Sequence, residues 1–132
     1  MSAEDVELVR EAFDAYSTGG IGALIPFCPP DVVVYPLAEW VEDPVYEGHD
    51  GFRRLVAWLD DFDDLDWEIH EIREAGDRVL VRADLTGRMK ASGLPVREEW
   101  GTVCSDFRDG MVGEWRFFRT WQDALKAVGP EE

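Results

Sequence analysis

The stretch that decides the fold is residues 78–119, which run RVLVRADLTGRMKASGLPVREEWGTVCSDFRDGMVGEWRFFR. Apolar residues at positions 79, 81, 83 and 85 alternate with charged or polar ones, which is the period-two pattern of a β-strand with two different faces. A turn is predicted at Ser92-Gly93-Leu94-Pro95 and a tight hairpin at Asp109-Gly110, because glycine and aspartate tolerate positive φ. The stretch therefore predicts three successive antiparallel strands.

The residues outside this stretch predict helices and two more strands. Apolar residues recur on one helical face at Val6, Val9, Phe13 and Tyr16, and Gly19-Gly20 ends that helix. The further elements are a short helix over 21–25 stopped by Pro29-Pro30, a strand over 32–35, a third helix from Phe52 to Leu59, a strand over 67–74 and a last amphipathic turn over 122–128. This order of elements indicates helices packed against a sheet.

Length and charge narrow the class of protein. The chain has 132 residues, enough for one domain over 1–132 that buries its own core without a metal or disulfide staple. Its formal charge of −16 disfavours nucleic acid and anionic membranes, which are bound through Lys and Arg. No apolar run approaches the roughly 20 residues of a membrane span, so we expect a cytoplasmic protein that binds neither nucleic acid nor membrane.

Two features that resemble chemical sites are interpreted as structural. Cys28 and Cys104 are isolated in sequence from metal-ligand neighbours, which is typical of small buried apolar groups. The acidic run over 60–66 lacks the glycine and the distal glutamate of a calcium loop, so we expect a solvated connection between a helix and a strand. No metal site is predicted.

Three short motifs accompany this order of elements. They are Tyr46-Glu47-Gly48-His49-Asp50-Gly51-Phe52, Gly76-Asp77-Arg78-Val79-Leu80-Val81 and Arg108-Asp109-Gly110-Met111-Val112. Together they resemble the nuclear transport factor 2-like superfamily, in its SnoaL-like branch. The resemblance implies an α+β cone, in which a curved antiparallel sheet wraps around three N-terminal helices, a pocket opens into the interior and the outer face of the sheet pairs with a second copy. Such a fold hosts enzymes and binding domains alike, so the function must be argued from the site.

The first candidate for catalysis is the pair Arg82 and Asp84. The spacing Arg82-Ala83-Asp84 resembles pocket residues of limonene-epoxide-hydrolase-like members of the superfamily, although the second aspartate of that set is missing near Phe117. A guanidinium beside a carboxylate keeps it ionised and orients it towards a water or a substrate hydroxyl. The alternative is that residues 79, 81, 83 and 85 face the core while Arg82 and Asp84 form a solvated cross-strand pair.

A second candidate carboxylate lies in the aromatic loop over 36–47. In ketosteroid-isomerase-like members of the superfamily a carboxylate follows the first strand, and Glu39 or Asp43 takes that place here. Glu39 stands beside Trp40, and an apolar neighbour raises the pKa of a carboxyl group towards that of a general acid or base. The hydrogen-bond donors of that mechanism are not matched, since Tyr16 lies off the position expected for one of them.

The two histidines are weaker candidates. His49 stands at a helix entrance, where capping or exposure explains it. Closing the 75–77 turn with a two- or a four-residue loop leaves His70 on the opposite face of the sheet from Arg82 and Asp84. A site that contains His70 together with Asp84 would require a β-bulge between them.

Aromatic residues are the predicted walls of the pocket. Trp40 and Tyr46 in the loop, with Trp115 and Phe117 on the last strand, are assigned to a small-molecule site. Two other aromatic residues, Trp100 and Phe118, are assigned to the core or to a dimer interface.

These observations predict a small-molecule-binding protein. The first hypothesis is a cofactor-free enzyme of isomerase, cyclase or hydrolase type that acts on an apolar oxygenated substrate, with Asp84 as acid or base, Arg82 as its orienter and Glu39 as a further carboxylate. The alternative is a non-catalytic ligand-binding or dimerisation domain. We expect no cofactor, and a homodimer formed through the outer face of the sheet.

Overall fold

The computed structural model describes residues 2–36 and 45–128, which form helices against a curved, unclosed sheet. The helices are α1 (Ser2–Leu24), α2 (Gly48–Val56) and α3 (Trp121–Val128), with 3-10 turns at Ile25–Phe27 and Ala57–Asp61. The strands are β1 (Val33–Tyr35), β2 (Tyr46–Glu47), β3 (Phe62–Ala75), β4 (Arg78–Met89), β5 (Pro95–Arg108) and β6 (Met111–Phe118), in the sheet order β2-β1-β6-β5-β4-β3. The predicted α+β cone is confirmed.

The strands β3 to β6 form the antiparallel meander that the turn residues predict. Arg108 pairs with Met111 across Asp109-Gly110, whose φ angles of 52° and 71° suit a tight two-residue turn. The sheet as a whole is mixed rather than wholly antiparallel, because β1 lies parallel to β6. The long segment between them, which includes α2 and β3, provides the crossover that a parallel pair needs.

The first helix bends where the sequence predicts a break. Gly20 lies inside α1 with φ 74° and ψ −162°, a conformation that glycine adopts without a side-chain clash. The pieces before and after Gly20 correspond to the first and second predicted helices. Within the described ranges, no helix is long and apolar enough to cross a membrane.

The acidic run over 60–66 belongs mostly to β3 rather than to a solvated connection. β3 begins at Phe62 and pairs with β4, with a bulge between Asp63 and Asp66. Gly87 of β4 accommodates the bulge, because a Cβ atom there would lie 3.0 Å from Leu65 Cδ2. The sequence predicted a solvated connection here because the bulge interrupts the alternation of apolar and polar residues that would mark a strand.

Different helices cover the two faces of the sheet. On the inner face, against which α1 packs, Val79, Val81 and Ala83 of β4 are buried. On the outer face, α3 packs over Leu80 through Trp121. This assignment of faces decides which side chains can reach the interior.

Candidate functional site

A cavity opens between the inner face of the sheet and the helices α1 and α2. Its volume, counted as the space in which the centre of a water molecule fits, is about 40 Å³, room for about three waters. Its lining residues are Ala12, Phe13, Tyr16, Leu24, Phe52, Leu55, Val56, Leu59, Trp67, Trp100, Trp115 and Phe117. The cavity is therefore a compact apolar site with a largely aromatic wall.

The aromatic rings of the wall hold one another in place. Trp100 stands at the centre, with Trp67 at 5.5 Å and Phe117 at 5.7 Å between ring centroids, and both pairs are nearly perpendicular. Trp115 continues the wall, stacked against Phe117 at 6.5 Å. Edge-to-face pairs of this kind are favoured by the ring quadrupoles, so the wall is rigid before any ligand arrives.

Tyr16 is the residue of this wall whose side chain carries an oxygen. Burial, with the negative charge of Asp60 as a second cause, raises the pKa of the Tyr16 phenol well above its usual value. The phenol therefore stays protonated at neutral pH and is available as a hydrogen-bond donor.

A polar cleft adjoins the cavity at Tyr16. Tyr16, Val56 and Leu59 line both spaces, and the cleft also carries charged side chains. These charged residues are Arg53, Asp60, Asp64 and Lys90. A ligand can therefore place an apolar part inside and a polar part at this mouth.

The predicted pocket residues divide into three groups. Trp115 and Phe117 line the cavity. Tyr46 is buried in the core with 7% of its surface exposed and Arg54 lying 4.9 Å from its ring centroid, but it is not part of the cavity wall. Glu39 and Trp40 lie outside the described residues, so their predicted roles stay predictions.

Asp84 and Arg82 lie on the outer face of β4, opposite the cavity. Their neighbours Val81 and Ala83 are buried in the core. This agrees with the alternative given in the sequence analysis, in which the odd-numbered residues of this strand face the core. Both side chains find their partners on β5: Asp84 Oδ2 accepts a hydrogen bond from Arg97 at 2.7 Å, while Arg82 Nε lies 3.8 Å from Glu99. A catalytic role for either residue would therefore have to be exercised at the outer face.

His70 joins Asp84 through a β-bulge. The two-residue turn at Gly76-Asp77 pairs Glu71 with Arg82, and the register then shifts between Ile69 and Glu71. His70 is the extra residue, and its Nε2 lies 3.3 Å from Asp84 Oδ2. This is the bulge that a site with both side chains requires.

Arg97 holds the outer cluster together. Its Nη1 donates to Glu68 Oε1 and to Asp84 Oδ2, each at 2.7 Å, and these contacts lower the pKa of both carboxyl groups. The possible metal-ligand atoms of Glu68, His70 and Asp84 lie within 4.8 Å of one another. Because Arg97 already holds an oxygen of each carboxylate in a charge-assisted hydrogen bond, we assign no metal to them.

The outer cluster makes a prediction about stability. Replacing Asp84 by asparagine should cost only about 0–1 kcal/mol at neutral pH, since Arg97 is more than half exposed and such pairs are weak. The folded-state pKa of Asp84 is lowered, so its contribution is present above the unfolded pKa near 4 and is lost as the pH falls through the folded value. Urea unfolding of both proteins at neutral and acidic pH measures this. A roughly 100-fold loss of turnover in the variant would instead support the catalytic hypothesis.

The interior cysteines offer no nucleophile. Burial raises the pKa of the Cys28 thiol to about 12 and that of Cys104 well above its usual value. Both stay protonated at neutral pH, and the thiolate is the reactive form. The sequence interpretation of these residues as small buried groups agrees with their positions.

Sequence reasoning missed several residues of the cavity wall. Phe13 and Tyr16 line the cavity from the apolar stripe of α1. The phenol of Tyr16 on an otherwise apolar helix face was the sequence signal that could have indicated this position. Trp67 and Trp100 also line the cavity; Trp100 was assigned to the core or an interface. The cavity is built from residues far apart in sequence, so no single motif marks it.

The model of the SnoaL-like domain family matches residues 9–115, which is most of the chain. The chain belongs to the SnoaL-like domain family. Three solved structures share the fold of this SnoaL-like chain, with between 18% and 23% sequence identity to it. Curated proteins gave no significant match to the chain.

The first of these structures is a hypothetical protein of Catenulispora acidiphila with a ketosteroid isomerase-like fold, in complex with trimethylamine. It has a TM-score of 0.73 at 18% identity, over 90% of this chain and 89% of its own. A protein of Jannaschia sp. CCS1, provisionally assigned as a SnoaL-like polyketide cyclase, has a TM-score of 0.73 at 23% identity, over 98% and 94%. IdmH of Streptomyces antibioticus, provisionally a polyketide cyclase, has a TM-score of 0.72 at 18% identity, over 85% and 88%. At these identities the likeness establishes the fold.

Proposed function

We propose that the interior cavity binds an apolar, oxygenated small molecule and that the chain acts on it by acid–base chemistry without a cofactor. The observation that carries the proposal is Tyr16, the oxygen-bearing side chain of the cavity wall among the residues described. An apolar pocket with a few convergent polar groups is the usual form of a small-molecule site. The trimethylamine complex of the Catenulispora protein supports small-molecule binding by this fold.

Tyr16 would act as a hydrogen-bond donor. Its pKa is raised, so the phenol remains protonated and can donate to a carbonyl oxygen or to a developing oxyanion. A donor in a water-poor site is strong, because few waters compete with it. The remaining requirement is a carboxylate that takes or gives the proton.

Three carboxylates are candidates for the proton-transfer role. Asp60 lies close enough to influence the Tyr16 phenol and lines the cleft at the mouth. Glu39, the candidate from the sequence, lies in the segment outside the described ranges and stays a prediction. Asp84 with Arg82 remains the third hypothesis, which requires a substrate at the outer face.

The second candidate function is ligand binding without turnover. It is favoured by the lining of the cavity, which contains no carboxylate among the described residues. Both functions predict a ligand in the same place, so the test must separate binding from conversion.

A ligand library of apolar carbonyl and phenol compounds tests the proposal. We expect compounds that raise the melting temperature, because a ligand that binds the native state stabilises it. Crystal soaking should place them against Trp100 and Tyr16, and nuclear magnetic resonance of the incubated ligand should show its conversion. Hits that bind but remain unchanged support the second function, and hits that bind away from the cavity contradict the proposal.

We also keep the homodimer through the outer face as a proposal. Trp100, which motivated it in the sequence, lies inside the cavity and gives it no support. The support is the mixed charge of the outer face, where Arg82 and Arg97 lie beside Glu99 and Glu68, since a two-fold interface must be self-complementary. Sedimentation that shows a monomer at high micromolar concentration would contradict it.

A further inference from the structure

The wall of the cavity is more aromatic than water exclusion requires. Seven of its twelve lining residues are aromatic and three of these are tryptophan. Leucine and valine exclude water equally well, whereas aromatic rings also present electron-rich faces. Those faces attract a cation within about 6 Å of the ring centroid, and tryptophan does so best.

The rings of the wall meet at steep angles. Trp67 and Trp100 meet at 89° and Trp100 and Phe117 at 84°, and all three residues line the same small cavity. Trp115 and Phe117 lie nearly parallel, at 17°, and extend one side. A compact group in this space contacts rings from several directions.

The size of the cavity points to a compact occupant. A space of about 40 Å³ for water centres accepts a small globular group but not a fused ring system without rearrangement. A tetrahedral group of about five non-hydrogen atoms is of the same order as the three waters that fit, since bonded atoms lie about 1.5 Å apart and hydrogen-bonded waters about 2.8 Å.

The charges at the mouth favour a cation. Asp60 and Asp64 line the cleft, and neither has a salt bridge within the described part of the chain. Of the two cations there, Arg53 lies 3.3 Å from Asp50 and is partly neutralised, which leaves Lys90 as the opposing charge. The net charge of the chain, −16, attracts cations at longer range.

We propose that the ligand carries a compact alkyl-substituted ammonium group, which the aromatic cavity holds by cation–π contacts while an oxygen of the same molecule meets Tyr16 at the mouth. The inference rests on the proposed function, because it takes the interior cavity to be the binding site. It adds the chemical class of the ligand: an oxygenated trialkyl- or tetraalkylammonium compound.

The test compares a cation with a neutral molecule of the same shape. Choline has a positively charged quaternary nitrogen where 3,3-dimethylbutan-1-ol has a neutral quaternary carbon. Both molecules carry a hydroxyl group. Calorimetric titration of the full chain should give at least about 10-fold tighter binding of choline, the value expected for a desolvated cation on aromatic faces. Tetramethylammonium serves as the probe without the hydroxyl.

A pair of adjacent variants locates the contact. Phe117→Leu keeps an apolar group but removes a ring from the cavity, and it should weaken choline binding by about 3-fold or more while leaving the neutral probe unchanged. Phe118→Leu is the matched control, because Phe118 packs with Leu80 on the outer face and lies outside the wall. Urea unfolding of both variants confirms that they are folded.

The outcomes separate this inference from the proposed function. Equal affinity for the two probes at the cavity overturns the ammonium preference and leaves the cavity as a binding site for neutral molecules. Choline binding that Phe117→Leu does not change overturns the placement. Failure of both probes to bind also overturns the inference, and the library of carbonyl and phenol compounds then decides the proposed function independently.

Discussion

Replacing Trp115 by alanine should lower the free energy of unfolding by about 3–5 kcal/mol, the largest effect on stability that we expect from one substitution. Trp115 is 2% exposed and lies on β6 between two paired strands, in register with Val34 of β1 and Cys104 of β5. Its ring contacts Phe13 and Phe52 of the helices at centroid distances of 6.0 and 5.8 Å. The substitution therefore removes one of the aromatic contacts between the sheet and each of the two helices.

Two further variants control this measurement. Leu94→Ala removes an apolar side chain that is 60% exposed in the turn before β5, and its effect should stay within about 0.5 kcal/mol. Trp115→Phe keeps a ring in the wall and should cost less than alanine. Urea denaturation followed by circular dichroism gives all three values. A loss below about 1 kcal/mol for Trp115→Ala would contradict the close packing seen around this ring.

The fold could be predicted because its main signals are local. Asp109-Gly110 and Gly76 mark hairpins whose positive φ angles few other residues accept. Gly20 marks the bend of α1 in the same way, because its φ angle of 74° is also positive. These residues act within a few positions of the chain, so the order of elements follows from the sequence.

The sheet face of Asp84 could not be decided locally. β4 buries Leu80 on the outer face as well as Val79 and Val81 on the inner face, so apolar residues occur on both. Leu80 is apolar because α3, more than 30 residues away in sequence, packs over it. The alternation alone therefore fits either orientation of Arg82 and Asp84.

The outer cluster depends on an irregularity that the sequence does not mark. The bulge at His70 contains neither glycine nor proline, and it alone brings the imidazole to Asp84. Arg97 reaches the same carboxylate from β5, so the partner of Asp84 comes from another strand rather than from Arg82 two residues away. Cross-strand contacts of this kind require the register to be known.

Replacing Tyr16 by phenylalanine should lower turnover by about 10²–10³-fold, the usual loss when one hydrogen-bond donor to a developing oxyanion is removed. The ring remains in the cavity wall, so folding and the affinity for apolar ligands should change little. Because the pKa of the phenol is raised, the donor stays protonated beyond the normal range of tyrosine, and Tyr16 itself should cause no loss of activity between pH 7 and about 10.

Tyr46→Phe is the matched control for this experiment. Tyr46 is a buried tyrosine that lies outside the cavity wall, although the sequence placed it in the pocket. Turnover of a library hit, measured for both variants at saturating ligand, should fall for Tyr16→Phe alone. A fall for Tyr46→Phe alone would move the reaction towards β2. Equal activity of both variants and wild type would remove the phenol from the mechanism and favour binding without turnover.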